Sequence, residues 1–177
     1  GVSPEKDALK TRMQSLIQYR DSHLKDQAIW LSEYGYDSNP RSPQGVPGEM
    51  NDYTAEQMQA LWLLRASLLL WSSGLEQAHI YMLRDVNAPN PNKYNSSGLT
   101  QEKWNGHAPK ESYKLLRDWQ EAMGRAEFVA LQERRPLKVM QLEVMLEGQR
   151  AFILWSKEDG RSVELKKGSL LLPAGRY

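Results

Sequence analysis

The stretch from Thr54 to Ser73 is apolar around most of its circumference. Met58, Leu61, Trp62, Leu64, Leu68, Leu69 and Trp71 do not collect on one narrow stripe. A helix with that pattern cannot lie on a surface; it has to form a layer between a sheet and other helices. Its ends are written locally, by a capping-box pattern at Thr54-Ala55-Glu56-Gln57 and a stop at Gly74. The most apolar window, Ala60 to Trp71, contains Arg65 and falls well short of the roughly 20 residues a membrane helix needs. The expectation is a buried helix, with no membrane partner.

The elements around it alternate. Ser3-Pro4-Glu5 reads as an N-cap, a proline at the first helical position and a first-turn acid, followed by Leu9, Met13, Leu16 and Ile17 on one stripe. A strand is expected around Ala28–Gly35. A long loop rich in Pro, Gly, Asn, Ser and Asp follows from Tyr36 to Asp52. Beyond the apolar helix, Gln77–Leu83 reads as a second strand ending at Arg84-Asp85. Asn87–Gly106 reads as a second loop, and Tyr113, Leu116, Trp119 and Met123 mark a third helix from about Pro109 to Glu127. This is the βα alternation of a parallel sheet or barrel with long loops at one end. After Arg134-Arg135-Pro136 the period becomes two. Met140, Leu142, Val144 and Leu146 alternate with Gln141, Glu143 and Glu147, and Gly148 turns the chain into Ala151–Trp155. Asp159-Gly160 is a second hairpin signal before Val163 and Leu165, and Lys167-Gly168 precedes Leu170–Leu172. The expected domains are 1–128, α/β, and 129–177, antiparallel β, with the break near residues 129–136.

Within the first strand, Ala28-Ile29-Trp30-Leu31-Ser32-Glu33-Tyr34-Gly35, alternation puts Ile29, Leu31 and Glu33 on one face and Trp30 and Ser32 on the other. A carboxylate at the C-terminal tip, on the core side, either carries chemistry, as strand ends of α/β enzymes do, or ends the strand in solvent or against an arginine. Trp30 is expected to pack on helices. Other chemistries find no support. The net charge of +1, with no basic cluster among stacking aromatics, argues against nucleic acid. The absence of cysteine removes thiol nucleophiles and disulfides, and His23, His79 and His107 lack metal-ligand spacing. No cofactor and no metal are expected.

Trp30-Leu31-Ser32-Glu33-Tyr34-Gly35 resembles the seventh strand of clan A retaining glycoside hydrolases, (β/α)8-barrel enzymes in which a glutamate at that tip is the nucleophile. Tyr81-Met82-Leu83-Arg84-Asp85 is similar to their eighth strand. Ser97-Gly98-Leu99 with Lys110-Glu111-Ser112-Tyr113 is similar to the loop and helix that close the barrel. Phe152-Ile153-Leu154-Trp155-Ser156 resembles the β-sandwich appended in the β-xylosidase/iduronidase group. The resemblance implies the last two βα units of a barrel followed by a small antiparallel sheet or partial sandwich, and a carbohydrate substrate. It makes Glu33 the nucleophile, with Tyr34 or a nearby tyrosine as its orienting donor. Tyr81, Arg84 and Asp85 become candidates for the sugar site, with a structural Arg84–Asp85 pair as the alternative. Tyr36, Asn39 and Tyr94 become loop contacts. Such enzymes are often exported.

A retaining glycosidase needs a second carboxyl group about 5 Å from the first. In this family the proton donor follows an asparagine on the fourth strand, and the chain contains no Asn-Glu pair. The first six strands are also missing. The expectation is therefore the C-terminal part of such an enzyme, inactive by itself, whose exposed faces are covered by an N-terminal barrel portion or by self-association. The alternative is a non-catalytic carbohydrate-binding module, or a protein-interaction module that uses the apolar helix.

Overall fold

The computed structural model of the chain describes residues 1–50, 52–134 and 138–157. Two compact units divide it, Gly1–Arg117 and Asp118–Tyr177. The described residues give a mixed α/β structure in the order α1 (Leu9–His23), β1 (Trp30–Tyr34), α2 (Ala55–Trp71), β2 (Gln77–Ile80), a 3-10 turn (Lys103–Asn105), α3 (Glu111–Met123), β3 (Glu127–Arg134), β4 (Val139–Leu146) and β5 (Gln149–Ser156). β1 and β2 form a two-stranded parallel sheet, and β3-β4-β5 form a three-stranded antiparallel one.

In the first unit α2 is the centre of the core, as its composition requires. Met58, Ala60, Trp62, Leu63, Leu64, Ala66, Leu68, Leu69 and Leu70 are all buried. The capping box forms: the Gln57 N–H donates to Thr54 Oγ1 at 3.2 Å, and the Thr54 N–H donates to Gln57 Oε1 at 2.8 Å. Thr54→Ala removes one of these two reciprocal bonds. It is expected to cost about 1 kcal/mol, read as a lower urea midpoint at unchanged slope.

α1 starts later than its sequence signals suggest. Residues 4–8 form turns, Ala8 takes a left-handed conformation, and no side chain caps Leu9. Glu5 is drawn away from the helix end by Arg65 of α2, whose Nε donates to Glu5 Oε1 at 2.9 Å while its second nitrogen bonds the other carboxylate oxygen. A first-turn acid contributes about 0.3–1 kcal/mol. A bidentate, nearly buried arginine pair is the stronger interaction. Of the predicted stripe, Leu9, Met13 and Ile17 are half-buried, whereas Leu16 points outward.

β1 departs from simple alternation. Its register with β2 is Trp30↔Gln77, Leu31↔Ala78 and Tyr34↔Ile80, so β1 carries one extra residue between Leu31 and Tyr34. Such a bulge re-aims the side chains at a strand end. Leu31 and Tyr34 share the half-buried side, where the Tyr34 hydroxyl lies 2.7 Å from Ser67 Oγ of α2. Glu33 is exposed instead of following Leu31 inward. Trp30 does not pack on helices: it is 60% exposed and meets His79 edge-on. β2 is also shorter than expected. It ends at Ile80, and the chain continues through Tyr81, whose N–H donates to Tyr34 O at 2.8 Å, to a bridge between Arg84 and Thr100.

In the second unit the period-two reading of β4 holds. Met140, Leu142 and Val144 are buried, with Gln141 and Glu143 half-buried between them. β4 turns into β5 through Glu147 (φ 52°) and Gly148 (φ 79°). Both central positions are left-handed, as a two-residue type I′ hairpin turn demands. β3 was not anticipated. It occupies Glu127–Arg134, across the stretch taken as a break, and pairs antiparallel with β4. A register shift between Phe128 and Ala130 interrupts its alternation. The expected strands around Val163–Leu165 and Leu170–Leu172, with their turns, lie outside the described residues.

Candidate active site

The loops that leave β1 and β2 are stitched together by a buried polar network. Asp37, just beyond the β1 tip, is fully buried. Its Oδ2 accepts from the Ser42 hydroxyl and from the Tyr94 N–H at 3.0 Å; its Oδ1 accepts from the Ser97 hydroxyl and from the Ser96 N–H at 3.3 Å. Ser96 O is a second hub. It accepts from the Ser38 N–H at 3.0 Å, Gln59 Nε2 at 3.0 Å and Lys110 Nζ at 3.2 Å. Lys110 also donates to Asp85 at 3.0 and 3.2 Å and to Ser38 Oγ at 3.1 Å. One ammonium thereby ties the start of α3 to both loops.

Against this scaffold opens a cavity of about 210 Å³. Glu33 and Asp7 supply its carboxylates, Tyr34, Tyr36, Tyr81 and Tyr94 its aromatic wall, and Gln44 an amide; Leu9 and Gly35 complete the lining. Tyr81 and Tyr94 meet edge to face with ring centroids 5.3 Å apart. Lys93 Nζ lies 4.6 Å from the Tyr94 ring centroid. Its pKa is raised by Tyr94 first, with Asp37 and Glu33 adding to the same direction. Glu33 makes no hydrogen bond or ion pair with the described residues. Asp7 is engaged by Arg12. Burial pushes the Tyr36 phenol well above its ordinary range, with Asp7 and Glu5 acting the same way, so Tyr36 remains a hydrogen-bond donor at any physiological pH.

Five of the candidates from the sequence, Glu33, Tyr34, Tyr36, Tyr81 and Tyr94, are brought together here, Tyr94 from the second loop. Tyr34 hydrogen-bonds Ser67 and not Glu33, and its pKa is raised by burial. Arg84 and Asp85 are not among the lining residues. Arg84 is exposed beside its bridge to Thr100, and Asp85 is buried against Lys110 and the Gly98 N–H at 2.6 Å. The Asn39 amide is used up on the carbonyls of Ala88 and Pro89.

Asp7, Gln44 and Asp37 carried no local signal in the sequence. Asp7 reaches the cavity because residues 4–8 leave the helical path. The role of Asp37 depends on serines and amides that lie between five and sixty positions away. No cluster of His, Asp and Glu able to hold a metal occurs among the described residues, and no described helix is long and apolar enough to cross a membrane. Comparison of the sequence with protein-family models and with curated proteins finds no match.

Proposed function

We propose that the chain is the C-terminal part of a retaining glycoside hydrolase, the last two βα units of a (β/α)8 barrel followed by an antiparallel β segment, with Glu33 as nucleophile. The observation that carries the reading is the position of Glu33. It is a carboxylate without a hydrogen bond to the described residues, facing the charge of Lys93, at the C-terminal end of a parallel strand and opening into a tyrosine-lined cavity. Tyrosines present both a stacking face and a hydroxyl, which suits a sugar ring. The cavity is below the roughly 300–1,000 Å³ of sites for drug-sized ligands and fits a small one.

The cavity's second carboxylate, Asp7, is held in an ion pair with Arg12. A carboxylate paired with a guanidinium is a poor proton donor, and no donor for a leaving oxygen is assigned among the described residues. Glycosides with poor leaving groups are therefore not turned over by the chain alone. A 2,4-dinitrophenyl glycoside needs no proton donor. A Glu33 carboxylate oxygen attacks the anomeric carbon, the bond from that carbon to the aryl oxygen breaks, and dinitrophenolate departs with the electron pair. Without a base to activate water, the glycosyl ester persists. Peptide mass spectrometry after incubation with dinitrophenyl β-D-xylopyranoside and β-D-glucopyranoside is expected to find one glycosyl group on Glu33 and none in Glu33→Gln. Labelling at another residue, or no labelling, removes Glu33 from the role. Sustained turnover by the purified chain overturns the half-site reading. The interaction-module alternative is not favoured, because the side chains of α2 are buried or half-buried along its length.

A further inference from the structure

We propose that Asp37 is a positioning residue of the Glu33 cavity, whose buried carboxylate holds Tyr94 against Tyr81 and sets the Gln44 amide at the cavity wall. The proposal rests on the reading of that cavity as a sugar site.

All four donors to the Asp37 carboxylate are neutral, and the side chain is fully buried. A buried carboxylate whose hydrogen-bond donors are all uncharged is expensive even with the Lys93 ammonium acting on it from a distance. Fastening the two loops together does not require it. The Ser38 N–H to Ser96 O bond, the Asn39 N–H to Ser96 Oγ bond at 3.0 Å and the Lys110 ammonium already do so. What Asp37 adds is specific to the cavity.

Its Oδ2 takes the N–H of Tyr94, a residue with φ of 74°, in the left-handed region that a bulky side chain rarely adopts. That backbone conformation delivers the Tyr94 ring edge-on to Tyr81. Through Oδ1 it orients the Ser97 hydroxyl, which donates to Asp37 and accepts from Gln44 Nε2 at 3.1 Å. The Asp37 backbone holds Gln44 from the other side, its N–H donating to Gln44 O at 3.2 Å. One side chain thus governs two of the residues that line the space beside Glu33.

The test compares Asp37→Ala and Asp37→Asn with Ser42→Ala, which removes a donor to the same carboxylate and an acceptor of the Gln44 N–H but leaves the bond from the Tyr94 N–H to Asp37 in place. An asparagine at 37 satisfies only one of the Tyr94 and Ser96 amides, so it serves if the alanine variant does not fold. The first readout needs no ligand: nuclear Overhauser contacts between the Tyr81 and Tyr94 rings, present in the native chain and in Ser42→Ala, are expected to vanish in the Asp37 variants. The second is titration with methyl β-D-xylopyranoside and methyl β-D-glucopyranoside. Asp37→Ala is expected to weaken binding about fivefold or more, and to weaken it less when Tyr94 is already alanine, the remainder passing through Gln44.

Ring contacts that persist in folded Asp37 variants overturn the proposal. So do additive losses in the double variant, or an equal loss of the Tyr81–Tyr94 ring contacts in Ser42→Ala, which would make Asp37 a loop fastener only. If the native chain binds neither glycoside, the sugar-site reading falls, and the ring contacts alone decide whether Asp37 positions Tyr94.

Discussion

Lys110→Met is expected to destabilise the protein by about 3–5 kcal/mol at neutral pH, the cost of leaving one partner of a buried pair uncompensated. The Lys110 and Asp85 side chains are almost entirely inaccessible to water. Methionine matches the aliphatic stem but leaves Asp85 with the Gly98 N–H as the donor that remains to its carboxylate, and deprives Ser38 Oγ and Ser96 O of a partner. A chemical-denaturation curve reads the loss as a lower midpoint at unchanged slope. A loss below about 1 kcal/mol would mean that water or a rearranged loop replaces the ammonium, and the network would not be the closed unit described above.

The same pair sets a pH dependence with a definite sign. Burial pushes the Asp85 carboxyl up from its ordinary value, against the opposing pull of Lys110 and of the Gly98 N–H. For an acid whose folded pKa lies above its unfolded pKa of about 3.9, the native state binds the proton first as pH falls, so stability rises across that window as the solution is acidified. Removing Lys110 removes the opposing pull and widens the window. The loss caused by Lys110→Met is therefore expected to be smaller in mildly acidic buffer than at neutral pH. Other carboxylates cancel in the difference between variant and native chain. An equal loss at both pH values would mean that Asp85 does not carry the effect.

Elements whose signals are local were legible. Thr54 and Gln57 are three residues apart and cap α2 by themselves; Glu147-Gly148 closes a hairpin of two residues; the alternation of β4 survives because its partners on both sides keep register with it from Leu142 to Val139. What failed depended on a distant partner. Glu5 looks like a first-turn acid until Arg65, sixty positions on, takes it. The facing of Glu33 was inferred from a straight strand, but the facing is fixed by pairing with β2, and the extra residue between Leu31 and Tyr34 exists only in that pairing. β3 was hidden for a related reason: the register shift at Phe128–Ala130 breaks its period, and Phe128 and Val129 are exposed side by side. The tyrosines of the cavity could be nominated one by one from strand tips and loops. Their assembly could not, because it is made by Asp37 and Ser96, polar loop residues of ordinary appearance.

Gly35→Ala is the second large effect expected, and it bears on the site directly. A Cβ at position 35 would lie 2.2 Å from the Tyr81 carbonyl oxygen. Real contacts of that length do not occur, and the obstructing atom is backbone, so it cannot rotate aside. β1 and the chain after β2 have to separate at the end that carries Glu33, straining the Tyr81 N–H to Tyr34 O bond of 2.8 Å. A loss of about 2–3 kcal/mol is expected, as for overpacking in a closed interior. Gly48→Ala is the control in the same loop, since its Cβ would meet only the Pro40 ring at an ordinary 3.5 Å. Gly35 and Tyr81 both line the cavity, so the separation also moves the aromatic wall relative to Glu33. A misplacement near 1 Å costs about 10²-fold in rate where geometry governs reaction. Labelling of Glu33 by the dinitrophenyl glycosides should therefore slow by about that factor in Gly35→Ala under conditions where the variant is still folded, and stay unchanged in Gly48→Ala. Equal stability in the two variants would show that β1 and Tyr81 approach less closely than 2.2 Å from that Cβ implies. Unchanged labelling in a destabilised Gly35→Ala would show that the Tyr81 side of the cavity does not contribute to the reactivity of Glu33.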